Sequence, residues 1–197
     1  MPREATLVRL MRRLEPLQIT LSDDTPAAQA LKLIQNAKSL AEEMQGLQGE
    51  DRIPSLVTSN GLIAWRFLQS AAAYIPTDAP RFCEWGSGIG VVSCLAALRG
   101  WESTGVEIEP RLIEVSRQLA KSHDVNVNFR QGNYRLDRSD EANTAREFDV
   151  LGFDIIYIYA WPAERQAVTE AIVLHAAPGL IFLRYGGGIQ CDAFRVV

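Results

Sequence analysis

A run of alternating glycines between two apolar segments limits the fold of this chain more than any other feature. Residues 82–85, which are apolar except for Glu84, are followed by Gly86, Gly88 and Gly90, and residues 91–99 then have the composition of a helix. Because glycine has no Cβ atom, it allows a sharp turn and a close approach of the backbone to a ligand. We therefore predict a strand, a tight loop and a helix whose free N–H groups point at that ligand.

A second informative motif lies downstream, where residues 103–106 precede the acids Glu107 and Glu109. We predict a strand that ends in these acids, followed by a helix that opens at Pro110. Glu107 follows the glycine loop by about 20 residues, a position from which a carboxylate can bind both hydroxyls of a ribose. The loop itself departs from the dinucleotide-binding fingerprint, whose third glycine would fall at Val91.

Together, residues 84–90 (Glu-x-Gly-x-Gly-x-Gly) and 105–110 (Gly-Val-Glu-x-x-Pro) resemble the motifs of class I S-adenosylmethionine (SAM)-dependent methyltransferases, and the resemblance extends from about Leu56 to the end. It implies an enzyme that transfers a methyl group from S-adenosyl-L-methionine to an acceptor and releases S-adenosyl-L-homocysteine (SAH). In such an enzyme Glu84 orients the methionyl amino end and Glu107 binds the ribose hydroxyls. The cofactor-binding residues that the resemblance implies are Glu84, Gly86, Ser87, Gly88, Gly90, Glu107, Ile108, Asn133 and Tyr159.

Two turns have both a structural and a functional interpretation. Asn133 follows the predicted third strand, 125–129, where the family often carries an acid or amide that reads the adenine. The amide of Asn133 offers a donor and an acceptor for this purpose, but Gly-Asn is also favourable turn chemistry. Ser59 and Asn60, at the start of the predicted helix 56–74, either cap this helix or contact the carboxylate end of SAM.

The acceptor side is predicted from the fourth strand, 153–158, an apolar run typical of a strand that is buried on both faces. At the end of this strand the family often has Asp or Asn, then Pro-Pro and an aromatic residue, whereas this chain has Tyr-Ala-Trp-Pro at 159–162. That departure argues against methylation of nucleobase amines. Tyr159 and Trp161 are the predicted catalytic residues, on the acceptor side, whereas Tyr157 is expected in the core.

Strands that alternate with helices predict an α/β fold with a doubly wound, mostly parallel sheet, whose ligand lies at the carboxyl ends of the strands. We assign residues 51–197 to a Rossmann-like SAM-binding methyltransferase domain and residues 1–50 to an N-terminal helical extension. The C-terminus is too short for the family's usual last two strands, since at most one, near 193–197, is available. The sheet edge is therefore expected to be bare, or covered by the N-terminal helices or a partner.

The N-terminal extension is predicted to form two helices, each with an apolar stripe. The first helix, 3–14, is ended by Pro16, and the second is capped by Thr25. The stripes consist of Leu7, Leu10, Met11 and Leu14, and of Leu33, Ala37, Leu40, Met44 and Leu47. Because these stripes exceed what the methyltransferase-like core needs, we expect them to cap the acceptor side or to form an oligomer interface, and we favour the cap.

Charge and composition argue against several classes of function. A net charge of −4 and a pI near 5.3 give no drive toward nucleic acid or an anionic membrane. No apolar run reaches membrane-spanning length, the first residues lack the apolar segment of a signal peptide, and the two histidines form no metal-ligand pattern. The three cysteines are expected to be reduced thiols in a cytoplasmic protein.

The predicted function is methyl transfer from SAM to an unidentified acceptor, with a small molecule or a protein favoured over nucleic acid. Two other classes of function stay open. The fold could bind SAM without turnover and act as an interaction module through its N-terminal helices. A nucleotide-cofactor enzyme on a related sheet is the other alternative, and the glycine spacing counts against it.

Overall fold

The computed structural model describes residues 13–49, 52–53, 56–133 and 152–197. Along these residues the elements are β1 (Leu14–Leu17), α1 (Ala28–Gly46), α2 (Gly61–Ala71), a 3₁₀ turn (Ala72–Tyr74), β2 (Arg81–Trp85), α3 (Val91–Leu98), β3 (Glu102–Glu107), α4 (Pro110–Ser122), β4 (Val127–Gln131), β5 (Ile155–Ile158), α5 (Arg165–His175), β6 (Ile181–Gly187) and β7 (Gln190–Val196). Most of the predicted first helix, and the polar segment after Asn133, lie outside the described residues.

Within the described residues, seven strands form one sheet in the order β1-β7-β6-β5-β2-β3-β4. Strands β2 to β6 are mutually parallel, while β7 runs antiparallel to both of its neighbours. This arrangement confirms the predicted α/β class and the mostly parallel sheet. Because the five parallel strands point the same way, their carboxyl ends meet at one edge of the sheet, which we call the carboxyl edge.

Helices cover both faces of the sheet and give the protein two apolar cores. Alternate residues of β5 divide between these cores, because successive side chains of a strand point to opposite faces. Ile155 and Tyr157 belong to the core that contains α1 to α4, whereas Ile156 and Ile158 belong to the core that contains α5. All four side chains are fully buried, as the unbroken apolar run predicts.

The N-terminal edge of the sheet differs from the prediction. Leu14, predicted to lie on a helix, instead begins β1, which pairs antiparallel with β7 from Leu14 opposite Val196 to Leu17 opposite Ala193. Pro16 explains the difference, because proline cannot continue a helix and, having no N–H, suits an edge strand. Strand β1 therefore covers the edge that is predicted to be bare or covered by helices or a partner.

Helix α1 packs its apolar stripe into the larger core. Leu33 and Ala37 are buried there, and α1 contacts α2, α3 and α4. The helix begins at Ala28, so the predicted cap at Thr25 is wrong. The predicted role of residues 1–50 as a cap on the acceptor side stays a prediction. The domain boundary after residue 50 also stays a prediction.

The C-terminal hairpin is longer than predicted, since β6 extends to Gly187 and β7 already begins at Gln190. A register shift between Tyr185 and Gly187 interrupts the pairing of the two strands near the carboxyl edge. This shift and the turn after it bring the tip of the hairpin to the same edge as the glycine loop. None of the helices in the described ranges is both long and apolar enough to span a membrane.

Candidate functional site

The glycine loop joins β2 to α3 at the carboxyl edge. Gly86, Gly88 and Gly90 have φ angles of 68°, 54° and 79°, in the left-handed region that favours glycine. Gly90 is the N-cap of α3, and its N–H donates to Ser87 O across 2.7 Å. The first turn of α3 therefore begins at this edge, as predicted, and one of its N–H groups, that of Ser93, donates to Glu84.

Gly88 and Gly90 are required for different reasons. A Cβ atom at Gly90 would lie 2.6 Å from Phe129 Cζ and 2.7 Å from Ser116 Cβ, so this glycine allows α3 to pack against β4 and α4. A Cβ atom at Gly88 would, among the described residues, meet nothing nearer than Leu56 Cδ1 at 3.8 Å. The backbone at Gly88 is therefore open to a ligand, whereas the backbone at Gly90 is closed by packing.

Glu107, at the end of β3, holds the glycine loop in place. Its Oε2 accepts a hydrogen bond from Gly88 N at 2.8 Å, and its Oε1 accepts from the next two backbone N–H groups at 2.8 and 3.0 Å. The residue is buried, with 8% of its surface exposed. Because a carboxylate can accept about four hydrogen bonds, Glu107 keeps capacity for a ligand hydroxyl.

Glu84 is a second buried acid and is bound to α3. Its Oε2 accepts hydrogen bonds from Ser93 N at 2.8 Å and from Ser93 Oγ at 2.6 Å. Burial raises the pKa of Glu84 from 4.5 to about 8, the hydrogen bonds from Ser93 oppose this rise, and the charge of Glu107 adds to it. The carboxyl group can therefore change its charge near neutral pH when a cation binds beside it.

Sequence reasoning missed Ser93, although a serine within an otherwise apolar helix is a detectable signal. Its Oγ donates to Glu84, and its carbonyl oxygen accepts from Ser103 Oγ at 2.8 Å. Ser93 is fully buried. It therefore links the acid of β2 to strand β3 through helix α3, and it fixes the position of the Glu84 carboxylate.

Ser87 is buried within the loop, with 5% of its surface exposed. Its N–H donates to Val106 O at 2.9 Å, which ties the loop to β3. Its Oγ has no hydrogen-bond partner among the residues that the structure describes. Because buried polar groups are nearly always hydrogen-bonded, this hydroxyl fits a site whose ligand completes the bonding.

Ile108 and Asn133 lie beside Glu107, as the sequence predicts. Gly132 N donates to Glu107 O at 2.9 Å, which places the turn that carries Asn133 next to the end of β3. Asn133 is half-buried and has an interaction of its own. Ile108 exposes 60% of its surface. An amide, an exposed apolar side chain and a carboxylate therefore share this part of the carboxyl edge.

Tyr159 and Trp161 follow β5, which lies next to β2 in the sheet. Tyr159 is half-buried, and its ring centroid lies 4.8 Å from that of Tyr185, with an angle of 58° between the two ring planes. Trp161 exposes 48% of its surface. Both residues are therefore at the carboxyl edge, on the side predicted for the acceptor. Sequence reasoning missed Tyr185, whose contact depends on the strand order rather than on any local pattern.

The segment before α2 crosses the same edge. Tyr157 is a core residue, as predicted, and its hydroxyl donates to Ser59 Oγ at 3.0 Å. Asn60 caps α2, since its Oδ1 accepts from the backbone N–H groups of Leu62 and Ile63. The capping interpretation is therefore confirmed for Asn60, whereas a contact of this segment with the carboxylate of SAM stays a prediction.

No protein-family model matches this chain. An RNA methyltransferase from Salinibacter ruber, solved in complex with SAH, matches with a TM-score of 0.54 and 20% identity, covering 71% of this chain and 92% of that chain. A methyltransferase from Podospora anserina, solved with SAH bound, matches with a TM-score of 0.55 and 14% identity, covering 93% of this chain and 68% of that chain. The chain has the class I methyltransferase fold.

Two further comparisons extend this result. An O-methyltransferase from Bacillus cereus, also solved with SAH, matches with a TM-score of 0.54 and 18% identity, covering 81% of this chain and 66% of that chain. In sequence, the 23S rRNA (uracil(747)-C(5))-methyltransferase of Pyrococcus horikoshii is 33% identical over 75 residues, which are 34% of this chain and 18% of that protein. The match therefore spans less than a fifth of this curated relative.

Proposed function

We propose that this chain is a SAM-dependent methyltransferase that acts on an acceptor at the carboxyl edge of its sheet. One observation carries the proposal. The buried carboxylate of Glu107 accepts a hydrogen bond from the N–H of Gly88, while the space that a Cβ atom of Gly88 would occupy is open. This geometry offers a ligand an acid and an accessible stretch of backbone at the same point. The SAH in the complexes of the Salinibacter ruber and Bacillus cereus proteins supports SAM as that ligand.

The residues present fit SAM in chemistry. SAM carries a sulfonium and an ammonium group against one carboxylate, and the site has two buried acids, Glu84 and Glu107. In this proposal Glu107 accepts from a ribose hydroxyl, Asn133 hydrogen-bonds the adenine and Ile108 covers the adenine with apolar surface. Glu84 receives the methionyl ammonium, and the unpartnered Oγ of Ser87 bonds to the cofactor.

When bound, SAM supplies a methyl carbon that its sulfonium has already activated. Transfer of this methyl group to a lone pair of the acceptor would leave the carbon–sulfur electron pair on sulfur and would release SAH. The protein contributes alignment of the two reactants and exclusion of water. In this proposal Tyr159 hydrogen-bonds the acceptor or presents its ring face to the sulfonium, and Trp161 contacts the acceptor.

A small molecule or a protein is the acceptor that we favour, and a nucleic acid is the second candidate. The second candidate rests on the sequence match to the Pyrococcus horikoshii rRNA methyltransferase. Against it stands the net charge of −4, while the Tyr-Ala-Trp-Pro sequence at 159–162 argues only against methylation of nucleobase amines. We propose a cytoplasmic location because Cys83, Cys94 and Cys191 are all free thiols.

Calorimetric titration of the full chain with SAM, SAH and NAD⁺ tests the proposal. We expect SAM and SAH to bind with one site per chain and NAD⁺ to show no binding. If NAD⁺ binds and SAM does not, the nucleotide-cofactor alternative replaces this proposal. An assay with methyl-labelled SAM and a mixed pool of acceptors then separates the enzyme from the interaction module. Transfer of the label supports the enzyme, whereas SAM binding without transfer to any tested class supports the module.

A further inference from the structure

We infer that the acceptor is a small, uncharged, aromatic molecule that binds against Trp161. This inference rests on the proposed function and names the acceptor class for the same site. The observation behind it is a set of three uncharged segments, residues 56–60, 159–163 and 185–190, that meet at the carboxyl edge. We call these three segments the acceptor rim.

The acceptor rim contains no aspartate, glutamate, lysine or arginine, although such residues make up 22% of the chain. Its sequences are Leu-Val-Thr-Ser-Asn, Tyr-Ala-Trp-Pro-Ala and Tyr-Gly-Gly-Gly-Ile-Gln. Edges and loops of a folded domain usually carry charge, because charged side chains prefer water. An uncharged rim at the mouth of a candidate site therefore points to an uncharged ligand.

Specific contacts join the three segments into one structure. Tyr157, within β5, donates its hydroxyl hydrogen to Ser59, which fixes the first segment to the sheet. The rings of Tyr159 and Tyr185 pack at 4.8 Å and join the second segment to the third. The hydroxyl of Tyr185 donates to Gly188 O at 3.0 Å and holds the hairpin turn. The acceptor rim is therefore an organised part of the fold.

The acceptor rim also exposes large apolar side chains. Val57 exposes 43% of its surface, Trp161 48% and Ile189 80%, and one of them comes from each segment. A planar ring can stack on the Trp161 indole, which gives affinity without any ion pair.

The charged groups nearest to the rim have partners within the protein. Arg184 and Asp192 form an ion pair at 2.9 Å, Arg165 Nη2 donates to Gly186 O at 3.3 Å, and Glu164 has an interaction of its own. The Tyr185 hydroxyl stays neutral, since burial raises its pKa. A cationic acceptor would therefore lose water without gaining an opposite charge, which is unfavourable. The Arg165 guanidinium, whose Nε has no partner among the described residues, is the group that an anionic probe tests.

Binding of matched indole compounds to the full chain, saturated with SAH, tests this inference. The probes are neutral indole, cationic tryptamine and anionic indole-3-acetate, titrated by ligand-observed NMR. We expect indole to bind at least about fivefold more tightly than either charged compound. We expect Trp161→Ala to lower the affinity for indole by about fivefold. Trp161→Phe should restore most of the affinity, because it keeps an aromatic ring.

Leu174→Ala is the matched control, because Leu174 is similarly exposed (53%) but lies near the other end of α5. It should change neither indole nor SAH binding. If indole-3-acetate binds more tightly than indole, the acceptor is an anion that pairs with Arg165, and the inference is overturned. Indole binding that Trp161→Ala leaves unchanged would also overturn it. Competition by an RNA oligonucleotide at the same site would also overturn it. If SAH itself fails to bind, the proposed function fails as well, whereas SAH binding without indole binding refutes the acceptor class alone.

Discussion

The carboxyl edge of the sheet has two halves that differ in almost every physical property. The cofactor half, residues 84–93, 107 and 108, buries two acids and pairs them with backbone and serine donors. The acceptor rim has no charged side chain and exposes apolar surface. Buried polar groups need partners at fixed positions, whereas apolar contact tolerates many shapes. The first half is therefore suited to one cofactor, and we propose that the second selects the acceptor.

The largest effect on SAM binding is expected from a substitution in the glycine loop, and a matched glycine in the acceptor rim serves as its control. Gly88 and Gly188 have φ angles of 54° and 57°, and neither would crowd an added Cβ atom. The backbone strain of Gly88→Val and Gly188→Val is therefore similar. We expect Gly88→Val to abolish SAM binding, because its side chain fills the space through which the ligand approaches, while Gly188→Val keeps the wild-type affinity.

Calorimetry gives the SAM affinity of both glycine variants, and circular dichroism checks that each one is folded. Retained SAM binding by folded Gly88→Val contradicts a close approach of the ligand at the loop. An equal loss of SAM affinity in both variants would mean that backbone strain, which the two positions share, causes the loss. The two halves would then not differ in their contact with SAM.

The second prediction concerns the acid of the cofactor half. Glu107→Ala removes a charge-assisted contact to the ribose and also releases the N–H of Gly88, so SAM binding should weaken by about 1.5–3 kcal/mol or more. Glu109→Ala is the control, since Glu109 caps α4 and pairs with Arg111. Its cost should appear in stability, at about 1 kcal/mol, and not in affinity. Equal SAM affinities of wild type and Glu107→Ala, measured by calorimetry, contradict the assignment.

The cofactor half could be predicted from the sequence because its signals are local. The alternating glycines, the acids Glu84 and Glu107 and the opening of α4 at Pro110 all lie within short windows, and α4 begins at Pro110 as predicted. The acceptor rim could be predicted only at Tyr159 and Trp161. Its assembly depends on contacts between distant residues, such as Tyr157 with Ser59, which are 98 positions apart.

The N-terminal strand shows the same limit in the fold. Its four residues, Leu-Glu-Pro-Leu, are too few to have a periodicity, and their pairing with β7 joins the two ends of the chain. The apolar spacing before them favours a helix when it is considered alone. Tertiary pairing decides such short segments, and no local pattern contains that information.

The third prediction uses the pH dependence of stability to test the burial of Glu84. Its pKa in the folded protein, about 8, lies above the ordinary 4.5. The stability that this group contributes is therefore complete below about pH 4.5 and is lost as the pH rises through about 8. Glu84→Gln, which can still accept from Ser93, should remove this loss and raise stability at pH 9 by more than about 1 kcal/mol.

Urea unfolding of wild type and Glu84→Gln at pH 5 and pH 9 measures this difference. Parallel pH dependences of the two proteins would mean that Glu84 ionises at its ordinary pKa. The same variant should bind SAM more weakly, because it lacks the negative charge that receives the methionyl ammonium. If Glu84→Gln is more stable than wild type but binds SAM more weakly, the cofactor half retains a buried acid that costs stability because it is needed for function.

The smallest expected effect lies at the border between the two halves. Tyr159→Ala removes a ring that is placed to face the sulfonium, and SAM binding should weaken by about 0.5–1 kcal/mol. Tyr159→Phe keeps the ring and should bind SAM as wild type does, while SAH, which has no sulfonium charge, should be insensitive to both changes. A loss of SAH affinity equal to that of SAM would assign Tyr159 to the packing of Tyr185 instead.

A crystal structure of the full chain soaked with SAH tests the central claim most directly. We predict the ribose against Glu107, the adenine beside Ile108 and Asn133, and the methionyl end at the glycine loop near Glu84. The sulfur should face Tyr159 and the acceptor rim. Density for SAH at any other surface, or a carboxyl edge that stays empty at saturating SAH, would contradict the proposed site.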